Sequence, residues 1–304
     1  MLHYTRKRAA AWLAALVLLL PSASLAETVV TSFYPIYLFA LNLCDGLENV
    51  TVHNLAAPGA GCLHDYQLQT RDMKQLAQAD VFLINGAGME SYLSGVADAF
   101  PALPVVDASL GIDLLPAEAE GIAVGEAEGL WNAHVWLDAA NAEQMVRSLA
   151  DGLVAALPSH RDAILQNRDA YLARLAALHE ELTLGLAGLP RRDIITFHEA
   201  FPYFARAYGL NVAAVVNREP GDALSPARLA ELVGVVKALG LPPLFVEPQY
   251  QDMAAQTLAA ETGAAVYTLD PVVTGPETDI PLTYYEDVMR RNMAVLLEAL
   301  GSGS

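Results

Sequence analysis

Eight short β-branched or apolar runs, alternating with helical segments, constrain this chain more than any other feature. They fall into two sets of four: residues 28–33, 50–55, 81–85 and 105–107, then 193–197, 212–216, 244–246 and 265–269. Strands that alternate with helices pair in parallel, because the crossover helix returns the chain to the same end of the sheet. The expected fold class is therefore α/β, with two lobes, each a roughly four-stranded parallel sheet with flanking helices. Between the sets, residues 158–189 carry Ile164, Leu165, Tyr171, Leu172, Leu175, Leu178 and Leu182 at roughly helical spacing among charged side chains. Pro158 stands near the start and Gly188-Leu189-Pro190 at the end, so this stretch reads as one long rigid helix. Such a helix is about 40 Å long and can join both halves. Ser225-Pro226 marks a second helix start, an N-cap followed by proline at the first helical position, running to about Leu239.

Arg6, Lys7 and Arg8, an apolar run over 9–20, and Ser24-Leu25-Ala26 before Glu27 have the form of a secretory signal peptide, with cleavage expected after Ala26. The apolar run is too short to span a bilayer comfortably. No cysteine follows it, so a lipid anchor is not expected and the location reads as periplasmic. The formal net charge is −18, and the leader takes three positive and no negative charges with it, leaving a more acidic remainder. Both nucleic acids and anionic membranes repel such a surface, so neither is an expected partner. Acidity suits attraction of cations, and it equally suits solubility alone. Cys44 and Cys62 are too few for a disulfide framework, though they could form one bond in an oxidising compartment.

Four candidate metal ligands stand in separate segments: His64 in GCLHDYQL, His134 in NAHVWLD, His198 in ITFHEAF and Asp270 in YTLDP. Three imidazoles and a carboxylate make a tetrahedral zinc set. Open α/β sheets bind ligands beyond the carboxyl ends of their strands. His198 and Asp270 each directly follow a strand run, His64 follows the second run, and His134 lies where the chain leaves the first lobe. The other histidines do not share this placement. His3 is in the leader, His53 alternates within a strand, and His160 and His179 lie on the long helix. For any one histidine a hydrogen-bonded surface role is the more common case. The joint placement of three, with Asp270 at a fourth exit, points to metal.

At these segments the chain resembles the cluster A-I solute-binding proteins of ABC importers for zinc and manganese. The likeness rests on TSFYPIY near the expected mature N-terminus, Pro58-Gly59 before HDY, NGAGME at 85–90, HVWLDAANA at 134–142, FHEAFPYFARAYGL at 197–210, FVEPQ at 245–249, LDP at 269–271 and a terminal helix over 284–297. The resemblance implies ligands at His64, His134, His198 and Asp270, two lobes linked by one rigid helix, Zn2+ as transported ligand with Mn2+ possible, and delivery to a membrane permease of an ABC importer by a monomeric protein. It also implies an organisation of signal peptide 1–26, N-terminal metal-binding lobe 27–157, linking helix 158–189, C-terminal metal-binding lobe 190–300 and flexible tail 301–304. Manganese-preferring members tend to carry Glu at the third ligand position, where this chain has His198, and imidazole suits zinc better than manganese. Asp65 and Glu247 are candidates for orienting the imidazoles.

The chain departs from the family pattern in two places. The stretch 113–129 carries Glu118, Glu120, Glu126 and Glu128 instead of histidines and reads as an exposed acidic loop, a weak cation collector or simply solvated. Cys62 stands two residues before His64, as a buried thiol, a disulfide partner of Cys44, or an extra soft ligand. An enzyme is not expected. His198-Glu199 begins like the zincin HExxH, but Pro202 occupies the second histidine's place. Gly86-Ala87-Gly88 lacks a third glycine, Ser91 standing there, and reads as a tight turn instead of a nucleotide loop. An adhesin, a role assigned to members of the broader family, is the remaining alternative of a different class.

Overall fold

The computed structural model describes residues 26–61, 63, 66–119, 122–123, 131–216, 225–249 and 253–301. Residues 1–25 of the expected leader, Cys62, His64, Asp65, Glu120, Glu126 and Glu128 lie outside them.

All eight expected strands form: β1 (Glu27–Thr31), β2 (Val50–Asn54), β3 (Val81–Ile84), β4 (Val105–Asp107), β7 (Asp193–Thr196), β8 (Asn211–Val215), β9 (Leu244–Val246) and β10 (Val266–Thr268). They pair in parallel as two four-stranded sheets, β2-β1-β3-β4 and β10-β9-β7-β8. Read from its other edge, the second sheet repeats the order of the first. Each half is therefore wound the same way, and its order reverses between its first and third strands. Ligand sites of open α/β sheets lie beyond such reversal points. Most of the strands end a residue or two before the sequence runs do, because the chain turns away from the sheet at its carboxyl edge. The acidic stretch read as a loop contains a short antiparallel pair, β5 (Glu118–Ala119) with β6 (Ile122–Ala123).

The helices are α1 (Tyr34–Leu43), α2 (Thr70–Leu76), α3 (Leu93–Ala99), α4 (Ala139–Ala156), α5 (Arg161–Ala187), α6 (Pro202–Tyr208), α7 (Pro226–Ala238), α8 (Met253–Thr262) and α9 (Tyr284–Gly301). A 3-10 turn at Pro158–His160 precedes α5, whose 27 residues span about 40 Å. Its buried stripe is Ile164, Tyr171, Leu172, Leu175, Leu178, Leu182 and Leu186, the periodicity seen in the sequence. Polar ties fasten it to both ends of the chain. Asn167 Nδ2 donates to the carbonyls of Leu43 and Asp45, and Arg174 pairs with the buried Glu286 of α9 at 2.8 Å. At α7 the expected N-cap forms, with Ser225 Oγ accepting from Arg228 N.

A single apolar core runs through both halves, joining Phe33, Phe39 and Leu43 to Trp136, Tyr171, Tyr203, Phe204 and Tyr285. Smaller clusters lie under the outer helices of each sheet. Each fully buried large side chain contributes roughly 1.5–3 kcal/mol. The seam between the halves is thus built like a domain interior, which resists wide opening. Cys44 is a buried thiol whose pKa burial pushes up to about 12, and its expected partner Cys62 lies outside the described residues. Among the described residues no helix is long and apolar enough to cross a membrane.

Candidate metal centre

The two strands flanking the reversal point of the second sheet deliver two acid–base side chains to the same place. β7 ends at Thr196 and β9 at Val246, and the register Thr196↔Phe245 carries on to set His198 opposite Glu247. His198 Nδ1 lies 2.8 Å from Glu247 Oε1, with both residues almost fully buried. Gln249 Nε2 donates to the other carboxylate oxygen of Glu247 at 2.6 Å. Glu247, expected to orient an imidazole, therefore holds that of His198. A carboxylate accepting from Nδ1 fixes the ring's tautomer and orientation.

His134 comes from the segment that leaves the first half, just before a 3-10 turn at Val135–Leu137. It too is buried, and its ring meets that of His198 edge to face, with centroids 4.8 Å apart and planes at 82°. Its Nδ1 is 3.1 Å from Asn132 Oδ1, and its backbone N donates to the same oxygen at 2.9 Å. The orientation of the Asn132 amide is set independently, because Nδ2 donates to the Glu199 carbonyl at 2.8 Å. A carbonyl only accepts, so Oδ1 must face His134, and Nδ1 of His134 must carry the proton. Both imidazoles thus have Nδ1 engaged by a protein oxygen.

Asn132 had not been singled out in the sequence. Its signal was faint: one amide in an apolar and aromatic segment two residues before His134. Tyr203 was likewise missed. Its hydroxyl donates to the Asn132 carbonyl at 2.9 Å and accepts from Leu115 N at 2.8 Å. On the other side, Asn85 Nδ2 donates to Ala133 O at 2.9 Å, so the NGAGME turn also supports the His134 segment. That turn is the tight one expected. Gly86 takes a φ of +79°, and a Cβ there would run into Asp107 and Ser109.

Asp270 lies two residues beyond β10 and is partly buried. Its Oδ1 accepts from Val272 N at 2.8 Å, and its backbone is clasped by Asn292, which accepts from Asp270 N and donates to Asp270 O. Burial raises its pKa, the charge of Glu247 adds to the rise, and Val272 N–H and Arg291 oppose it. His64 falls outside the described residues, but its neighbours are anchored. Leu63 is fully buried, and Tyr66 donates through its hydroxyl to Asp72 at 2.9 Å. Of the four expected ligands the structure thus brings His134 and His198 into contact and places Asp270 within electrostatic range of Glu247. Among the described residues no group of three or more His, Cys, Asp or Glu side chains closes into a metal-holding cluster.

Two repeated parallel sheets, a spanning helix and a buried imidazole pair at their junction define a bilobal α/β binding protein. The chain belongs to the ZnuA family, zinc-uptake complex component A, periplasmic, which it matches over residues 29–299. It is 30% identical over 277 residues to the zinc-binding lipoprotein AdcA of Streptococcus pneumoniae serotype 4, covering 88% of this chain and 54% of that protein. It therefore spans about half the length of the first curated relatives it matches. It is also 30% identical over 246 residues to the manganese-binding lipoprotein MntA of Halalkalibacterium halodurans, covering 78% of this chain and 77% of that one. Among solved structures it superposes on the solute-binding protein FpvC of Pseudomonas aeruginosa in complex with Mn2+, with TM-score 0.79, 27% identity and coverage of 91% and 99% of the two chains.

Proposed function

We propose that this protein is the extracytoplasmic binding component of an ABC importer, capturing Zn2+ between the lobes with His64, His134, His198 and Asp270 and delivering it to a membrane permease. The observation that carries the proposal is the buried His134–His198 pair, whose two Nδ1 atoms are each engaged by a protein oxygen. Imidazoles oriented in this way before the ion arrives need little reorganisation to bind it. Asp270 would add one hard, anionic donor, and a four-ligand protein set leaves no open position for an activated water. Carriage without catalysis is part of this reading, in keeping with a family named for zinc uptake.

Manganese is the second reading, favoured by the MntA relative and the Mn2+ complex of FpvC. Three imidazoles against one carboxylate favour zinc, since manganese prefers more oxygen donors. Metal analysis of protein purified without chelators, followed by calorimetric titration with Zn2+ and Mn2+, tests both. Tight zinc binding that His134→Ala or His198→Ala weakens by orders of magnitude is the expected result. Equal zinc affinity in wild type and both variants would remove the assignment, and a clear preference for Mn2+ would reverse the choice of ion.

A further inference from the structure

The segment carrying His134 grips both loops of the opposite half that carry candidate ligands. Two residues before His134, Asn132 donates to the carbonyl of Glu199, the residue after His198. Two residues after His134, Trp136 Nε1 donates to the carbonyl of Pro271, the residue after Asp270, at 2.7 Å. Trp136 is completely buried, and its own carbonyl accepts from the Tyr285 hydroxyl at 2.6 Å. Its ring packs edge-on against Phe33 at 5.1 Å and lies 5.2 Å from the His134 ring. One side chain therefore packs beside one candidate ligand and hydrogen-bonds the residue next to the other.

The far end of this strut is a strained turn. Val272 sits at φ 65°, a left-handed conformation that a β-branched residue adopts only when its surroundings impose it. In that conformation Val272 N–H points back to Asp270 Oδ1, which fixes the orientation of the carboxylate. The Pro271 carbonyl held by Trp136 lies between the ligand and the strained residue.

We infer that Trp136 is a positioning residue for the metal: its indole N–H, by holding the Pro271 carbonyl, fixes Asp270 of one half at a set span from His134 of the other before the ion arrives. This inference rests on the assignment of His134 and Asp270 as zinc ligands. A buried tryptophan commonly finds some acceptor for its N–H, so packing alone must be separated from positioning. The two differ in whether the effect passes through Asp270.

The test uses the full-length protein with Trp136→Phe, and with benzothienylalanine in place of Trp136, which keeps the bicyclic shape but replaces N–H by sulfur. Zinc affinity is measured by chelator competition, zinc release by stopped-flow, and apo stability by thermal unfolding. Wild-type zinc binding is established first, so failure of the functional assignment is recognised separately. The isostere is expected to keep the apo melting temperature within a few degrees while releasing zinc at least about tenfold faster, as for other groups that orient ligands. In an Asp270→Asn background the same replacement is expected to change zinc affinity less than about twofold, because coupled positions are not additive. Wild-type affinity and release in the isostere, or an undiminished effect in the Asp270→Asn background, would overturn the inference.

Discussion

His198 and Glu247 are brought together by the register of two adjacent strands, and the resulting 2.8 Å contact is buried on all sides. The contact holds the His198 ring in one orientation at the carboxyl edge of the second sheet. Glu247 engages Nδ1 and is itself held by Gln249, so the orientation of the ring is fixed from one side.

Glu247→Ala is expected to lower zinc affinity by about ten- to a hundredfold, the range seen when groups that orient metal-ligating histidines are removed. Glu247→Gln keeps one oxygen toward His198 Nδ1 and should lose less. Chelator competition on both variants measures this, and equal affinities for wild type and Glu247→Ala would show that the carboxylate has no orienting role.

Asn132→Ala strips His134 Nδ1 and His134 N of their common acceptor and the Glu199 carbonyl of its donor. Buried groups left without partners cost about 1–3 kcal/mol, so stability should fall by at least that much in urea unfolding. Zinc affinity should fall together with stability, since the tautomer of His134 is no longer imposed. A variant of unchanged affinity would mean that His134 keeps its orientation without Asn132, through contacts such as its packing against Trp136 and His198.

The fold was legible because its strands are short β-branched runs and its linking helix shows a buried stripe from Ile164 to Leu182. His198 and Asp270 were legible as candidates because each follows a strand, where an α/β sheet presents its ligands. Glu247 could be named for the same reason, standing immediately after β9. Asn132 and Trp136 could not. Their partners, the carbonyls of Glu199 and Pro271, are 67 and 135 residues away, and a backbone carbonyl carries no sequence signal. The small strands of the acidic stretch escaped for another reason: two-residue pairs contain no periodicity to read.

Gly86→Ala is expected to destabilise the protein by several kcal/mol, and Gly185→Ala by clearly less. A Cβ on Gly86 would collide with the Asp107 carboxylate and the Ser109 hydroxyl in a backbone conformation, φ +79°, that disfavours any side chain. A Cβ on Gly185 meets Met293, a flexible side chain that can move aside. Denaturant unfolding of the two variants compares them directly. A smaller loss for Gly86→Ala than for Gly185→Ala would mean that the NGAGME turn relaxes freely.

Glu90 makes stability depend on pH in a direction opposite to ordinary acid unfolding. Its buried carboxylate accepts from Asn85 N at 2.8 Å and from Gly86 N at 3.1 Å. Burial nevertheless dominates and pushes its pKa from 4.5 up to about 7. Between those values the native state holds a proton that the unfolded chain has released. The contribution is therefore fully present below about pH 4.5 and is lost as the pH rises through about 7, amounting to no more than a few kcal/mol. The comparison that isolates Glu90 is with Glu90→Gln, which cannot ionise. The stability of wild type relative to this variant should be greater at pH 5 than at pH 8, as measured by urea unfolding across that range. A difference that stays constant from pH 5 to pH 8 would mean that the two backbone donors to Glu90 offset its burial and that it ionises as an ordinary carboxylate.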